Sequence, residues 1–396
     1  MSEDLFVRTD RQRHFVERAA ALAARFAQRA PAHDQSGTFP FENYEDLRTS
    51  GYVRMTVPAE FGGEGATLVE TLLAQERLAR GDGATALSIG WHLAGIGKYA
   101  ETRVWPAPLF ERLCRDVVNH GALFNSCASE VETGSPSRGG RPTTTARRTA
   151  GGWVLDGRKA FATLAPVLSY ALISAGIEGE SYNGWFLTPL TTPGVTVVET
   201  WDAMGMRATG SHDLLLTDVH LPADALAEPF GPGAPGVTCA APGGGAGWNL
   251  HIPAVYLGIA RAARDFALEY ARTRTTTALQ GPIADLPHVQ ARLGQMELDL
   301  YAARAALYTA AQAWEEQPDR RPALVPILGA AKSIATNNAI KIVDEAMRVV
   351  GIAGLSRSLP LERYYRDVRA GLHNPPMDDA TLTLLARTAL RENQEA

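Results

Sequence analysis

Cysteine is scarce in this chain: the three residues Cys114, Cys127 and Cys239 are odd in number and fall in no CxxC or Cys/His spacing. Neither a disulfide framework nor a zinc centre is therefore expected. Long apolar runs are also missing; no stretch approaches the roughly 18 uncharged residues of a membrane span. The N-terminal segment MSEDLFVRTDRQRHF is charged throughout, unlike a secretory leader, so the expectation is a cytoplasmic protein. Neither sign of charge dominates, with 38 Lys+Arg against 43 Asp+Glu and a net charge of -5. Without a long basic run or an aromatic-rich basic patch, nucleic acid is not an expected partner.

What the chain has is length and a change of texture. Its 396 residues exceed the size of one ordinary core, so two or three packed units able to enclose a large cofactor are expected. From Asp10 to about Arg115 apolar residues recur at helical spacing, as in Phe15, Ala19, Leu22, Ala23 and Phe26. Between about Gly121 and Phe230 the runs become short and β-rich, including Trp153-Val154-Leu155 and Leu214 to Leu221. Helical periodicity returns over Ile252 to Tyr270, Val289 to Trp314, Ala323 to Val350 and Asp378 to Leu390. The implied units are 1–120, helical; 121–235, a small β-domain; and 236–396, helical, an α+β order without strand and helix alternation. Gly231-Pro-Gly-Ala-Pro-Gly236 fits GxGxxG. Two prolines in a linker give neither the preceding strand nor the helix that a dinucleotide fingerprint requires.

Four segments, in order, resemble the acyl-CoA dehydrogenase superfamily. Thr56-Val-Pro-Ala-Glu-Phe-Gly-Gly63 looks like its VPEEYGG turn, and Met204 to Ser211 with Asp218 to Pro222 resembles the end of its β-domain. Leu257-Gly-Ile-Ala-Arg-Ala-Ala263 is similar to the start of its first C-terminal helix, and Leu361-Glu-Arg-Tyr-Tyr-Arg-Asp367 to its P-V-E-R-L-Y-R-D segment. The resemblance implies an N-terminal helical domain, a middle β-barrel and a C-terminal four-helix bundle, assembled as a dimer or a dimer of dimers.

It also implies a flavin. Ser129-Glu-Val-Glu-Thr-Gly-Ser135 is similar to the family's T-E-P-E-A-G-S loop, which would bring Ser129 and Thr133 toward the ring and Ser135 toward the pyrophosphate. Phe161-Ala-Thr163 resembles the strand whose aromatic covers the ring and whose hydroxyl meets its O4/N5 edge. At the adenine end, Arg348-Val-Val-Gly-Ile-Ala-Gly354 stands where the family has Q-x-x-G-G-x-G, leaving Arg348, Gly351 and Gly354 as candidate partners. The R-x-x-F-G motif is replaced by Arg274-Thr-Thr-Thr-Ala-Leu279. FAD is the expected cofactor, with FMN an open alternative.

Dehydrogenation needs a carboxylate over the substrate's α-carbon. The position of the usual base holds Pro375, and the alternative position falls near Trp248-Asn249. Asp378 and Asp379 stand at an expected helix N-terminus, where capping is their natural use. In place of the acid the chain has His373 in the same loop and His92 in the first domain. Both resemble histidines of the dibenzothiophene monooxygenase branch, whose members react reduced flavin with oxygen. That resemblance implies a two-component monooxygenase fed reduced flavin by a separate reductase. Through a C4a-(hydro)peroxyflavin it would hydroxylate carbon, nitrogen or sulfur of a small apolar or aromatic substrate. Imidazoles could hold or shuttle a proton there, with Asn125 and Ser126 as polar partners and Trp248 and Asn249 lining the substrate pocket. The rival expectations are an acyl-CoA or carrier-bound acyl dehydrogenase and a catalytically silent flavin-binding paralogue.

Overall fold

The computed structural model describes residues 4–133, 140–235, 242–277 and 281–395, with side chains as far as Arg391. Five helices come first: α1 (Asp10–Ser36), α2 (Phe41–Thr49), α3 (Leu68–Ala79), α4 (Gly83–Thr102) and α5 (Ala107–His120). Three of these helices start on side-chain caps. Thr9 and Thr67 close capping boxes with Gln12 and Glu70, and Asp82 accepts from the amides of Ala84 and Thr85. Gly37 ends α1 at φ 68°, a left-handed turn that costs glycine little.

Helix α4 is buried along most of its length and carries glycines seven residues apart at 83, 90 and 97. A Cβ at these positions would come within 2.5 Å of Ile259, 2.8 Å of His251 and 2.4 Å of Trp248 respectively. The repeat marks one face of the helix, because seven residues make nearly two turns. Through it the C-terminal part packs directly on the α4 backbone.

The middle of the chain forms an eight-stranded sheet from β1 (Phe124–Cys127), β2 (Thr145–Thr149), β3 (Gly152–Ala162), β4 (Tyr170–Ile177), β5 (Asn183–Pro189), β6 (Val195–Val198), β7 (His212–Pro222) and β8 (Leu226–Phe230). The order is β6-β7-β3-β2-β4-β5-β8, with β1 pairing β4 in parallel so that Asn125 faces Ala171 across the ladder. Strand β8 ends at the residue before Gly231, so a strand does precede the GxGxxG sequence, contrary to the sequence reading. It is antiparallel to β5, however, and the next described segment, Pro242–Leu250, is a run of three-ten turns broken at Gly243, Gly244 and Gly245. Residues 236–241 lie outside those described.

The last part contains α6 (His251–Thr273), α7 (Pro287–Glu316), α8 (Arg321–Val350), the short α9 (Leu361–Val368) and α10 (Asp378–Glu395). The four long helices coincide with the four periodic segments. Glu76 of α3 ties the first part to this bundle: buried, it accepts from Arg261 at 2.6 Å, from Arg304 at 2.9 Å and from the Tyr308 hydroxyl. Burial alone would raise its pKa, but Arg304 and Arg261 hold it down at about 2. No helix among the described residues is long and apolar enough to cross a membrane. Cys114 and Cys127 are buried free thiols, each pushed up to about 12 by burial; Cys239 lies outside the described residues.

Candidate active site

Strands β1 and β3 bring the expected ring-side residues together. The Asn125 amide is buried and donates from Nδ2 to the Thr163 carbonyl at 2.9 Å. The Thr163 hydroxyl is linked to Ser211 Oγ at 2.8 Å, and Ser211 in turn to Thr209 at 2.8 Å, so a hydroxyl chain backs this corner. Ser126, next along β1, is exposed and shares a side-chain hydrogen bond with Tyr99 of α4. The Ser129 carbonyl accepts from the Ala160 amide at 2.9 Å, fastening the start of the loop to β3.

Phe161 is the most informative of these residues. It lies at φ 56°, a left-handed conformation costly for a side chain with a Cβ, and its ring is 62% exposed. Among the described residues its close aromatic neighbour is Trp201, edge-on at a centroid separation of 6.1 Å. A strained turn that pushes a large aromatic outward beside polar side chains fits a flat, polar-edged ring such as a flavin.

The loop is held from beneath by Glu130, which the sequence reading passed over. Its carboxylate accepts from Lys159 at 2.6 Å, from the Thr143 amide and hydroxyl at 2.7 Å each, and from the Thr144 amide and hydroxyl at 3.0 and 2.7 Å. Burial would raise its pKa, but these donors hold it well below the ordinary carboxylate range. Thr133, expected at the cofactor, donates its hydroxyl to the same carboxylate at 3.0 Å. Ser135 lies outside the described residues.

The two histidines part company. His92 is fully buried; its Nδ1 accepts from the Phe124 amide at 3.0 Å, so Nε2 carries the proton and donates to the Val53 carbonyl at 2.8 Å. Burial lowers its pKa to about 4. With both nitrogens committed to backbone, the ring ties α4 to β1 and has none to offer a flavin-bound oxygen, which corrects the donor role expected for it. His373 is exposed, just beyond the three-ten turn Arg369–Leu372, and its neighbour Asn374 accepts from the Tyr256 hydroxyl at 2.5 Å. At the helix start beyond it, Asp378 accepts from Asn337 at 2.8 Å and Asp379 from the Ala380 amide at 2.8 Å.

Trp248 is buried against Gly97 with its indole N–H unpartnered, whereas Asn249 is exposed. Next to them lies a histidine the sequence reading missed. His251 is 1% exposed, donates from Nδ1 to the Trp248 carbonyl at 2.8 Å, and packs edge-on with Trp91 at 4.7 Å. Its Nε2 lone pair has no partner, and burial lowers its pKa to about 4. Position alone could have flagged it, two residues after Asn249. Further along α4, Lys98 interacts with Glu228 of β8: burial raises the Glu228 pKa and Lys98 opposes that. Arg348, Gly351 and Gly354 lie elsewhere, at the end of α8. Arg348 is 62% exposed near Glu345, and a Cβ on Gly351 would meet open space.

Family models for acyl-CoA dehydrogenase match the chain three times: the N-terminal domain over residues 9–101, the middle domain over 125–219 and the C-terminal domain over 250–374. YdbM of Bacillus subtilis (strain 168), provisionally named an acyl-CoA dehydrogenase, is 49% identical over 385 residues, 97% of this chain and 99% of its own length. The L-evernosamine nitrososynthase of a Micromonospora species is 30% identical over 377 residues, 91% of this chain and 85% of its own. KijD3, solved with FMN and dTDP-3-amino-2,3,6-trideoxy-4-keto-3-methyl-D-glucose, superposes with a TM-score of 0.85 at 30% identity, covering 96% of this chain and 94% of that one. The dibenzothiophene monooxygenase TdsC of Paenibacillus sp. A11-2 shares the fold, with a TM-score of 0.83 at 23% identity over 96% of this chain and 97% of its own.

Proposed function

Because the chain belongs to the acyl-CoA dehydrogenase family, a family of flavin-dependent oxidoreductases, we propose that it is a monooxygenase branch member that takes reduced flavin from a separate reductase and inserts one oxygen atom of O2 into a small substrate. The observation that carries this reading is the identity of the two positions where a dehydrogenase keeps its carboxylate. They hold Pro375 and the Trp248-Asn249 pair, none of which can accept a proton from carbon. The nitrososynthase relative adds support, and its name together with the amino sugar bound to KijD3 favours nitrogen among the carbon, nitrogen and sulfur targets.

The bound flavin would supply the oxygen chemistry; the chain's residues would orient the reactants and exclude water. Phe161 would cover the ring, Thr163 and Ser126 would meet its polar edge, and Ser129 and Thr133 would stand at the loop that Glu130 anchors. Asn249 and Trp248 would line the substrate side. The unpartnered His251 lone pair would accept a hydrogen bond from a substrate N–H or O–H, and His373 would close the cavity from its loop. FMN is favoured over FAD, on the FMN bound to KijD3 and on the departures at Arg348 and Ile352. Were FAD the cofactor instead, Arg348, Gly351 and Gly354, distant from β1 and β3 in sequence, would serve its adenine end in a second copy of a dimer or dimer of dimers.

The test is product formation from amines, thioethers and aromatics, with reduced FMN or FAD from a reductase and oxygen. Oxygenated product from the native chain, reduced at least tenfold by His373→Ala, is the expected result. Failure to oxygenate any class, with anaerobic bleaching of oxidised flavin by acyl-CoA thioesters, would replace it by the dehydrogenase reading that the likeness to YdbM favours.

A further inference from the structure

The end of α1, the turn Met204–Arg207 and the segment Arg357–Arg366 enclose a pocket of about 470 Å³. Four arginines line it, Arg207, Arg357, Arg363 and Arg366, against two acids, Asp34 and Glu362, an excess of two positive charges. They are not equally free. Arg366 is committed to Asp34 at 2.5 Å and to Glu362 at 2.8 Å, and it also holds the Met204 carbonyl at 2.8 Å. Arg207 is held by the carbonyls of Asp34 and Ala203 at 2.8 and 2.9 Å, and by the Asp202 carboxylate at 3.3 Å. These two build the wall.

Arg363 and Arg357 are different. Arg363 is 6% exposed and its Nη1 has no hydrogen-bond partner, although an unmatched buried guanidinium donor is expensive. It bonds the Tyr364 side chain and feels Asp82, Asp367 and Asp34, but it forms no ion pair within 4.0 Å among the described residues. Arg357 stands exposed at the rim, and no ion pair or hydrogen bond among the described residues holds its side chain. The rest of the wall mixes apolar Met204, 63% exposed, Leu359 and Pro360 with polar Gln35 and Ser358.

We infer that this pocket is an anion site separate from the flavin site, which takes a phosphate group between Arg363 and Arg357 with any organic body against Met204 and Leu359. Two guanidinium groups can grip phosphate oxygens with paired N–H donors, which lysine could not do in the same way. An oxyanion there would neutralise Arg363, which lines the pocket without an ion pair among the described residues, together with the exposed Arg357. The volume lies within the range of small-molecule sites, so a phosphorylated metabolite would fit as well as the free ion.

Titration calorimetry of the full chain, in a buffer without phosphate or sulfate, tests this with inorganic phosphate and with ADP as probes. Saturable binding of at least one probe is expected, weakened at least tenfold by Arg363→Gln and by Arg357→Ala. The second substitution is at an exposed position and leaves folding untouched. Tighter binding of ADP than of phosphate would mark a phosphorylated organic ligand; equal binding would mark the free ion, and either supports the site. Absence of saturable binding, or undiminished binding by Arg357→Ala, would overturn the inference. So would an equal loss of FMN affinity in Arg357→Ala, since the pocket would then belong to the flavin.

Discussion

The ammonium group of Lys159 on β3 lies 2.6 Å from a carboxylate oxygen of Glu130, and both side chains are wholly buried. This pair holds the loop that begins at Ser129 against the sheet. The two partners differ in what else they satisfy. Glu130 receives five further donors, four from Thr143 and Thr144 and one from Thr133, while Lys159 has, among the described residues, Glu130 and the Ser174 hydroxyl, at 3.0 Å.

That asymmetry predicts unequal damage. Glu130→Met strands a buried ammonium and five donors, and should cost about 3–5 kcal/mol of stability. Lys159→Met leaves a carboxylate that is still well bonded, and should cost less. Urea denaturation of the two variants checks the order; the reverse order would mean that the loop does not depend on Glu130.

Acid should weaken the fold through His92 and His251. Burial lowers both to about 4 from an ordinary 6.5, so between those values the unfolded chain binds protons that the folded chain refuses. Their stabilisation is present above pH 6.5, declines as pH falls to about 4 and is flat below, with each ring contributing up to about 3 kcal/mol. In His92→Gln one of the two contributions disappears. Its stability should therefore fall less steeply than the native protein's between pH 6.5 and 4; an unchanged slope would show that His92 is protonated in the fold.

Phe161 offers opposite signs in one variant. Replacing it with glycine relieves a backbone at φ 56° and removes a ring that is 62% exposed. Thermal stability should hold or rise, while flavin affinity, read by fluorescence quenching, drops at least about tenfold, equivalent to about 1.4 kcal/mol. Full flavin affinity in Phe161→Gly would remove the ring from the site.

Gly90→Ala tests the contact between α4 and α6. Its Cβ would stand 2.5 Å from Gln75 Nε2 and 2.8 Å from the His251 ring. Overpacking of that kind costs about 1–3 kcal/mol. A melting temperature equal to the native one would show that the interface is loose enough to give way.

Much of this protein was legible in its sequence. Apolar spacing located the four bundle helices because a helix must bury one face, and that constraint repeats every 3.6 residues. Ser129, Phe161 and Thr163 could be nominated from local motifs, and the missing carboxylate at Pro375 needed only a count along the chain. What the sequence could not decide was the partner of each buried polar group. His92 looked like a proton donor until its two nitrogens met the backbones of Val53 and Phe124, 39 and 32 residues away. His251 escaped notice because its significance is a lone pair without a partner, and Glu130 because Lys159 approaches it from 29 residues further on. Local sequence sets which face of an element is apolar; only the packed chain sets which donor meets which acceptor, since desolvation and geometry are fixed when distant segments close on one another.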